Sequence, residues 1–216
     1  MAEPITANQF HQADGVEDWR ILAHGASAHF RTTSFANSVT LVNRVGALAV
    51  AANHHPDLDL RPTGVTVRLI TRELKGLSED DLILAREISR VARELGITAD
   101  PTAVQDVDLT LDALVGPKVL PFWWAVLNYR AVGDEDLVDP HGRWPAIWFQ
   151  TMRTPRPQRN RIHVDVWVPH DQAEGRVDAA LAAGGRLLSD SHAPAWWTLA
   201  DAEGNEVDVA TWKGRG

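Results

Sequence analysis

Cysteine is absent from this chain of 216 residues, which excludes disulfides and thiolate zinc sites. Basic side chains are in the minority, 21 against 29 acidic ones, and the net charge is −8. A nucleic-acid-binding surface is therefore not expected. The local basic stretch at Arg153, Arg156, Arg159 and Arg161 is interleaved with prolines and reads as a solvated loop. No uninterrupted apolar run reaches about 18 residues, so no membrane span is expected. Met1-Ala2-Glu3-Pro4 has neither the basic start nor the apolar core of a secretory signal, which makes a cytoplasmic location the expectation. What is present is ordinary core material, 44% apolar. Its aromatics are unevenly spread, with nine tryptophans against one tyrosine. Only Trp19 precedes residue 100; Trp123, Trp124, Trp144, Trp148, Trp167, Trp196, Trp197 and Trp212 follow. This skew points to two domains.

In the first half, residues 5–14 suit a short helix. Trp19–Leu22 and Ala28–Arg31 read as strands of a hairpin around Gly25. Thr32, Thr33 and Ser34 offer N-caps for a helix whose apolar positions Phe35, Val39, Val42, Val45, Leu48, Ala49 and Ala52 recur at helical spacing. That helix should end at Asn53-His54-His55-Pro56. Val65, Val67 and Leu69 alternate with polar neighbours, predicting a strand to about Thr71. Ser78-Glu79-Asp80-Asp81 resembles a capping box, and Leu84, Ile88, Val91, Ala92 and Leu95 form the stripe of the helix that follows. The expected class is α+β, with an αββαβα order and helices on one face of an antiparallel sheet. Two readings of His54-His55 follow from the residues alone. They compensate the dipole at a helix end, or they form a pair able to take and give protons near neutrality.

Residues 99–105 contain Asp100-Pro101 and no helical stripe, and are expected to be a linker between domains at 1–98 and 106–216. Beyond it, Val107, Leu109 and Leu111 alternate as a strand, Val119–Leu127 reads as a buried helix, and Trp144–Met152 as a strand. In Arg161–Val168, Ile162, Val164, Val166 and Val168 share one face, while His163, Asp165 and Trp167 share the other. A helix over 171–187 and strands at 196–199 and 206–211 complete the pattern. The last strand carries Glu206, Asp208 and Ala210 on one face. A strand–helix–strands unit thus occurs twice.

Over residues 5–98 the chain resembles the pterin-4a-carbinolamine dehydratase family. The resemblance rests on Trp19, the Phe30 strand, Ser34-Phe35, His54-His55-Pro56, the Thr71 strand end, and Gly76-Leu77-Ser78 with Asp81. It implies removal of water from a 4a-hydroxytetrahydropterin, with no metal or cofactor required. By position, His54 and His55 would be catalytic, and His55, Pro56, Arg72 and Glu73 would hold a pterin-like small molecule. It also implies a homo-oligomer. The chain departs from the family where a third histidine is usual, since Arg72 stands there. It departs again at Leu58, Asp59 and Pro62 in place of aromatic residues, and at Val50 in place of an acid.

Over residues 103–214 it resembles the glyoxalase/vicinal oxygen chelate superfamily, which implies paired βαβββ units around a half-open cup. The matching stretches are Phe122–Tyr129, Phe149-Gln150, Asn160–Val166 and Ala200–Glu206. The superfamily's ligand positions fall on Asp108, Gln150, His163 and Asp208, a second-domain pocket that would hold a small molecule and, optionally, a divalent cation. The leading expectation is a carbinolamine dehydratase-like enzyme with an appended glyoxalase-like domain. Two alternatives stand beside it: a non-catalytic small-molecule binding protein, and chemistry confined to the second domain.

Overall fold

In the computed structural model, residues 2–133, 136–155, 164–211 and 213–214 are described. The chain divides into two compact units, residues 1–106 and 107–216.

The first unit runs β1 (Pro4–Ile5), α1 (Ala7–Gln12), β2 (Arg20–Leu22), β3 (Gly25–Arg31), α2 (Phe35–Ala52), β4 (Asp57–Arg61), β5 (Gly64–Leu69), β6 (Leu77–Ser78), α3 (Glu79–Glu94) and β7 (Thr98–Ala99). The main sheet has the order β2-β3-β5-β4, all antiparallel, with β7 also on β3. Strand alternation sends Ala26, Ala28, Phe30, Val65, Val67 and Leu69 into one core with Leu41 and Val45 of α2 and Leu84, Ile88 and Val91 of α3. Trp19 closes that core edge-on against Phe30 at 6.4 Å. Its indole N–H is satisfied by Ser89 Oγ at 3.1 Å. Among the described residues, α2 is the one helix long and apolar enough to cross a membrane. A core helix passes that test equally well, and α2 buries Ser38, Leu41, Val45 and Ala49 in this unit.

The expected αββαβα order gains a strand, because β4 forms a hairpin with β5 in the stretch between Pro56 and Pro62. Its Asp57-Leu58-Asp59-Leu60-Arg61 alternates, with Leu58 and Leu60 packed against the core. The expected linker is joined to the sheet at its start. Thr98–Ala99 pairs with Phe30–Arg31, and Asp100 follows with its N–H on His29 O at 2.7 Å and its carboxylate on Arg31 at 2.5 Å. The short β2 covers only Gly25–Ser27 on that side of β3, so the backbone groups further along need another partner.

The second unit is a βαβββ unit repeated. The first repeat is β8 (Leu109–Ala113), α4 (Gly116–Leu127), β9 (Arg130–Val132), β10 (Asp136–Val138) and β11 (Ile147–Thr151). The second is β12 (Val164–Trp167), α5 (Ala173–Ala182), β13 (Arg186–Ser189), β14 (Trp196–Ala200) and β15 (Glu206–Ala210). The sheet orders, β8-β11-β10-β9 and β12-β15-β14-β13, are equivalent. Each places its first strand parallel to its last. One core joins Phe122, Trp123 and Val126 of α4, Val177 and Ala180 of α5, and the inward faces of both sheets.

The strand expected from Trp144 begins only at Ile147, because Asp139 organises the preceding turn. Its carboxylate accepts the N–H groups of His141 (2.9 Å), Arg143 (2.8 Å) and Trp144 (3.3 Å). Burial alone would raise this carboxyl's pKa. The three backbone donors, helped by the Arg143 guanidinium, outweigh burial and hold it below the usual carboxylate range.

Two expected outcomes follow from the packing. Gly25 has φ +123°, and an added Cβ would lie 2.2 Å from Leu69 O. Gly25→Ala should destabilise the first unit by at least ~2 kcal/mol, read by chemical denaturation. For Asp139 the folded pKa is depressed, so its stabilisation is complete above the unfolded value of about 4 and is lost as pH falls through the folded value. Thermal unfolding from about pH 5 to about pH 2 should show a shallower acid-side loss for Asp139→Asn than for the native chain.

Candidate active site

The site begins with the way α2 stops. Asn53 takes the left-handed conformation, φ 49°, and its N–H returns to Ala49 and Val50 carbonyls. The His54 N–H also bonds Ala49 O, at 3.1 Å. Asn is among the few side chains that tolerate this conformation. The turn leaves His54 half-buried at the helix end and His55 exposed.

The His54 ring meets the start of α3. Its Nε2 lies 2.7 Å from Asp81 Oδ1, and the Asp81 side chain is fully buried. The other oxygen, Oδ2, accepts from Thr71 Oγ1 (2.7 Å), Ser78 N (2.8 Å) and Ser78 Oγ (3.0 Å). Thr71 and Ser78 hydroxyls are themselves 2.6 Å apart. Asp81 is thus the N3 residue of the α3 capping box and, through its second oxygen, the partner of an imidazole 27 residues earlier. A buried carboxylate needs such a full set of donors to remain in the fold. With Nε2 committed to Asp81, the Nδ1 edge of His54 is the side left to face a ligand.

A second carboxylate ties the same two chain segments together. Asp57 Oδ2 accepts from Arg68 Nε (3.2 Å) and Nη2 (2.8 Å), while Oδ1 accepts from Arg72 Nη2 at 2.5 Å. Segment 54–57 is therefore fastened to segment 71–72 twice, through Asp81 and through Asp57. Pro56 is half-buried between these ties, and Glu73 is exposed on the turn that Thr71 and Gly76 close. Among the described residues neither His55 nor Glu73 makes a hydrogen bond or ion pair. Val50 is exposed on α2.

Sequence reading placed Asp81 and Ser78 at a helix start without connecting them to His54, and gave Asp57 no role. The signal available was the acid three residues after the Ser78 cap, and the acid directly after His-His-Pro.

The second-domain set is dispersed along the strands. Gln150 lies beside Asp112 on the parallel β8–β11 pair, and Asp208 beside Asp165 on the β12–β15 pair. Asp108 stands just before β8, and His163 lies outside the described residues. On β12, Asp165 and Trp167 are exposed while Val166 packs toward the core, and Val207 and Val209 of β15 are fully buried. Among the described residues no three His, Cys, Asp or Glu side chains gather to hold a metal. The described part of the set is two carboxylates and a neutral amide, a poor divalent-cation site by itself. Two acids of the Ala200–Glu206 stretch have structural work. Buried Asp201 accepts from Trp123 Nε1 (3.0 Å) and from three groups of its own turn, and Glu203 accepts the Leu114 and Val115 N–H groups at 2.6 and 2.7 Å at the start of α4.

Comparison with known proteins agrees with both halves. The family model for pterin 4 alpha carbinolamine dehydratase matches residues 3–91, and that for a glyoxalase-like domain matches residues 108–210. A protein of Aquifex aeolicus, provisionally named a pterin-4-alpha-carbinolamine dehydratase, is 31% identical over 84 residues, which are 39% of this chain and 85% of the relative. One of Nocardia farcinica, named in the same way, is 40% identical over 76 residues, 35% of this chain and 80% of the relative. Among solved structures, a transcriptional coactivator/pterin dehydratase from Brucella melitensis superposes with TM-score 0.39 at 21% identity, covering 42% of this chain and 99% of that one. A glyoxalase-related enzyme from Fulvimarina pelagi gives 0.38 at 18% identity, covering 50% and 88%. The chain belongs, through its first unit, to the pterin-4-alpha-carbinolamine dehydratase family, and that unit is fused to a glyoxalase-like domain.

Asp81→Ala would strip three side chains and one backbone N–H of a buried acceptor. It should lower the stability of the first unit by roughly 2–4 kcal/mol while leaving the unfolding of the second unit in place, as read by hydrogen exchange.

Proposed function

We propose that the first unit dehydrates a 4a-hydroxytetrahydropterin, with His54 as the acid/base group. The observation that carries this reading is the 2.7 Å bond between His54 Nε2 and fully buried Asp81. A carboxylate behind an imidazole fixes the ring's orientation, as a proton-transferring histidine requires. Protonated His54 gives its proton to the 4a-hydroxyl. The C4a–O bond breaks as the N5 lone pair forms the C4a=N5 bond, and water leaves. The N5 proton then returns to the imidazole, giving the quinonoid dihydropterin and restoring the histidine. Each proton is accounted for by one group, so the reaction calls for no metal or redox cofactor. His55 and Arg72 would hold the ring.

A second reading is favoured by Arg72. A guanidinium stays charged at every relevant pH and cannot relay a proton, so the same site could serve as a pterin-binding module without turnover. The glyoxalase-like unit would then supply a further small-molecule surface, with its exposed Trp148 and Trp167.

Turnover of a 4a-hydroxytetrahydropterin separates the two. Under the first reading His54→Ala lowers the dehydration rate ~10²–10⁴-fold with an unchanged circular dichroism spectrum. A variant that keeps the native rate would remove His54 from the chemistry.

A further inference from the structure

We infer that Arg72, held in place by Asp57, makes this site selective for pterins whose N5 is a bare hydrogen-bond acceptor. This inference rests on the pterin reading of the first unit. Arg68 grips one Asp57 oxygen through both Nε and Nη2, a two-point contact that fixes the carboxylate. Arg68 is only 24% exposed, so this post is itself well anchored. The remaining Asp57 oxygen receives Arg72 Nη2 at 2.5 Å. The Arg72 backbone is held as well, because Thr71 N–H and Gly76 N–H bond each other's carbonyls across the turn, at 2.9 and 3.4 Å. Asp57 therefore gives the guanidinium a preferred direction.

A guanidinium has five N–H donors and no acceptor. Among the described residues Asp57 is the one partner of Arg72, and the side chain is 61% exposed. At least three donors are left to face a ligand, on the segment that Asp81 and Asp57 tie to His54. Their natural match is a pair of adjacent acceptors. In a 7,8-dihydropterin or a quinonoid dihydropterin the C4 carbonyl oxygen and the N5 lone pair sit side by side and supply that pair. In a tetrahydropterin, and in the 4a-carbinolamine, N5 carries a hydrogen that a donor-only group meets unfavourably. A neutral imidazole at this position would have one donor and one acceptor nitrogen, and would accommodate either state. Arg72 thus shifts affinity toward the dehydrated side of the reaction.

The test is isothermal titration of the full chain, under nitrogen, with 6-methyl-7,8-dihydropterin and with 6-methyl-5,6,7,8-tetrahydropterin. The native chain should bind the dihydro form at least ~10-fold more tightly, the scale of one hydrogen bond to a charged group. Arg72→His and Arg72→Leu should bring the ratio to within about twofold, and Asp57→Asn should lower it with Arg72 still present. Arg72 is a surface side chain, so these variants should retain the native melting temperature. Equal affinities in the native chain, or a ratio that survives Arg72→Leu, would overturn the inference and leave the pterin site standing. If neither pterin binds the native chain, the pterin reading itself fails and takes the inference with it.

Discussion

The first unit depends on one buried carboxylate. Asp81 has no exposure to water, so every oxygen lone pair it keeps must be met from inside the protein. Those donors come from three separate places: the end of α2 through His54, the end of the β5 segment through Thr71, and the start of α3 through Ser78. Meeting one electrostatic demand therefore brings together three pieces of chain that are far apart in sequence. The histidine's fixed orientation is a consequence of the same demand. Stability and candidate chemistry meet in one side chain.

The short N-terminal strand supports the arrangement from outside. β1 pairs with Leu77–Ser78, and Glu79 N–H bonds Glu3 O at 3.0 Å. The backbone of the capping residue is thus held in a small sheet while its side chain serves Asp81. The second unit uses the same physical device for another purpose. Asp201 is buried and fully bonded, yet its distant partner is the indole of Trp123, a core residue. Asp81 and Asp201 both mark places where distant parts of the chain are tied together, and the candidate site lies at the one whose partner is an imidazole.

Charge at the rim follows a different rule. Asp57, Arg68 and Arg72 lie closer to water, where an ion pair contributes little to stability. Their importance is geometric, since one carboxylate sets the direction of a guanidinium. Under the proposed reading His54 would carry the proton and Arg72 would recognise the ligand, so the two tasks would fall to separate side chains.

Much of this architecture follows from the sequence alone. Helical spacing marks α2, α3, α4 and α5, alternation marks β5, β12 and β15, and the repeat of strand–helix–strands defines the second unit, because these are local periodicities of 3.6 and 2 residues. Ser78 and Asp81 announce a helix start, and His54-His55-Pro56 a helix end, for the same local reason. Tertiary structure alone decided which of these ends meet. β4 was hidden between two prolines, and it exists because β5 offers it an edge. β7 is made a strand by the unpaired backbone of β3. Glu203 accepts the N–H of Val115, 88 residues before it at the start of α4, and Asp81 reaches an imidazole 27 residues before it. Arg72 is visible in the sequence as a departure from the family, but its fixed direction comes from Asp57 across 15 residues. Periodicity is written along the chain, whereas the partner of a buried polar group depends on which segments fold against it.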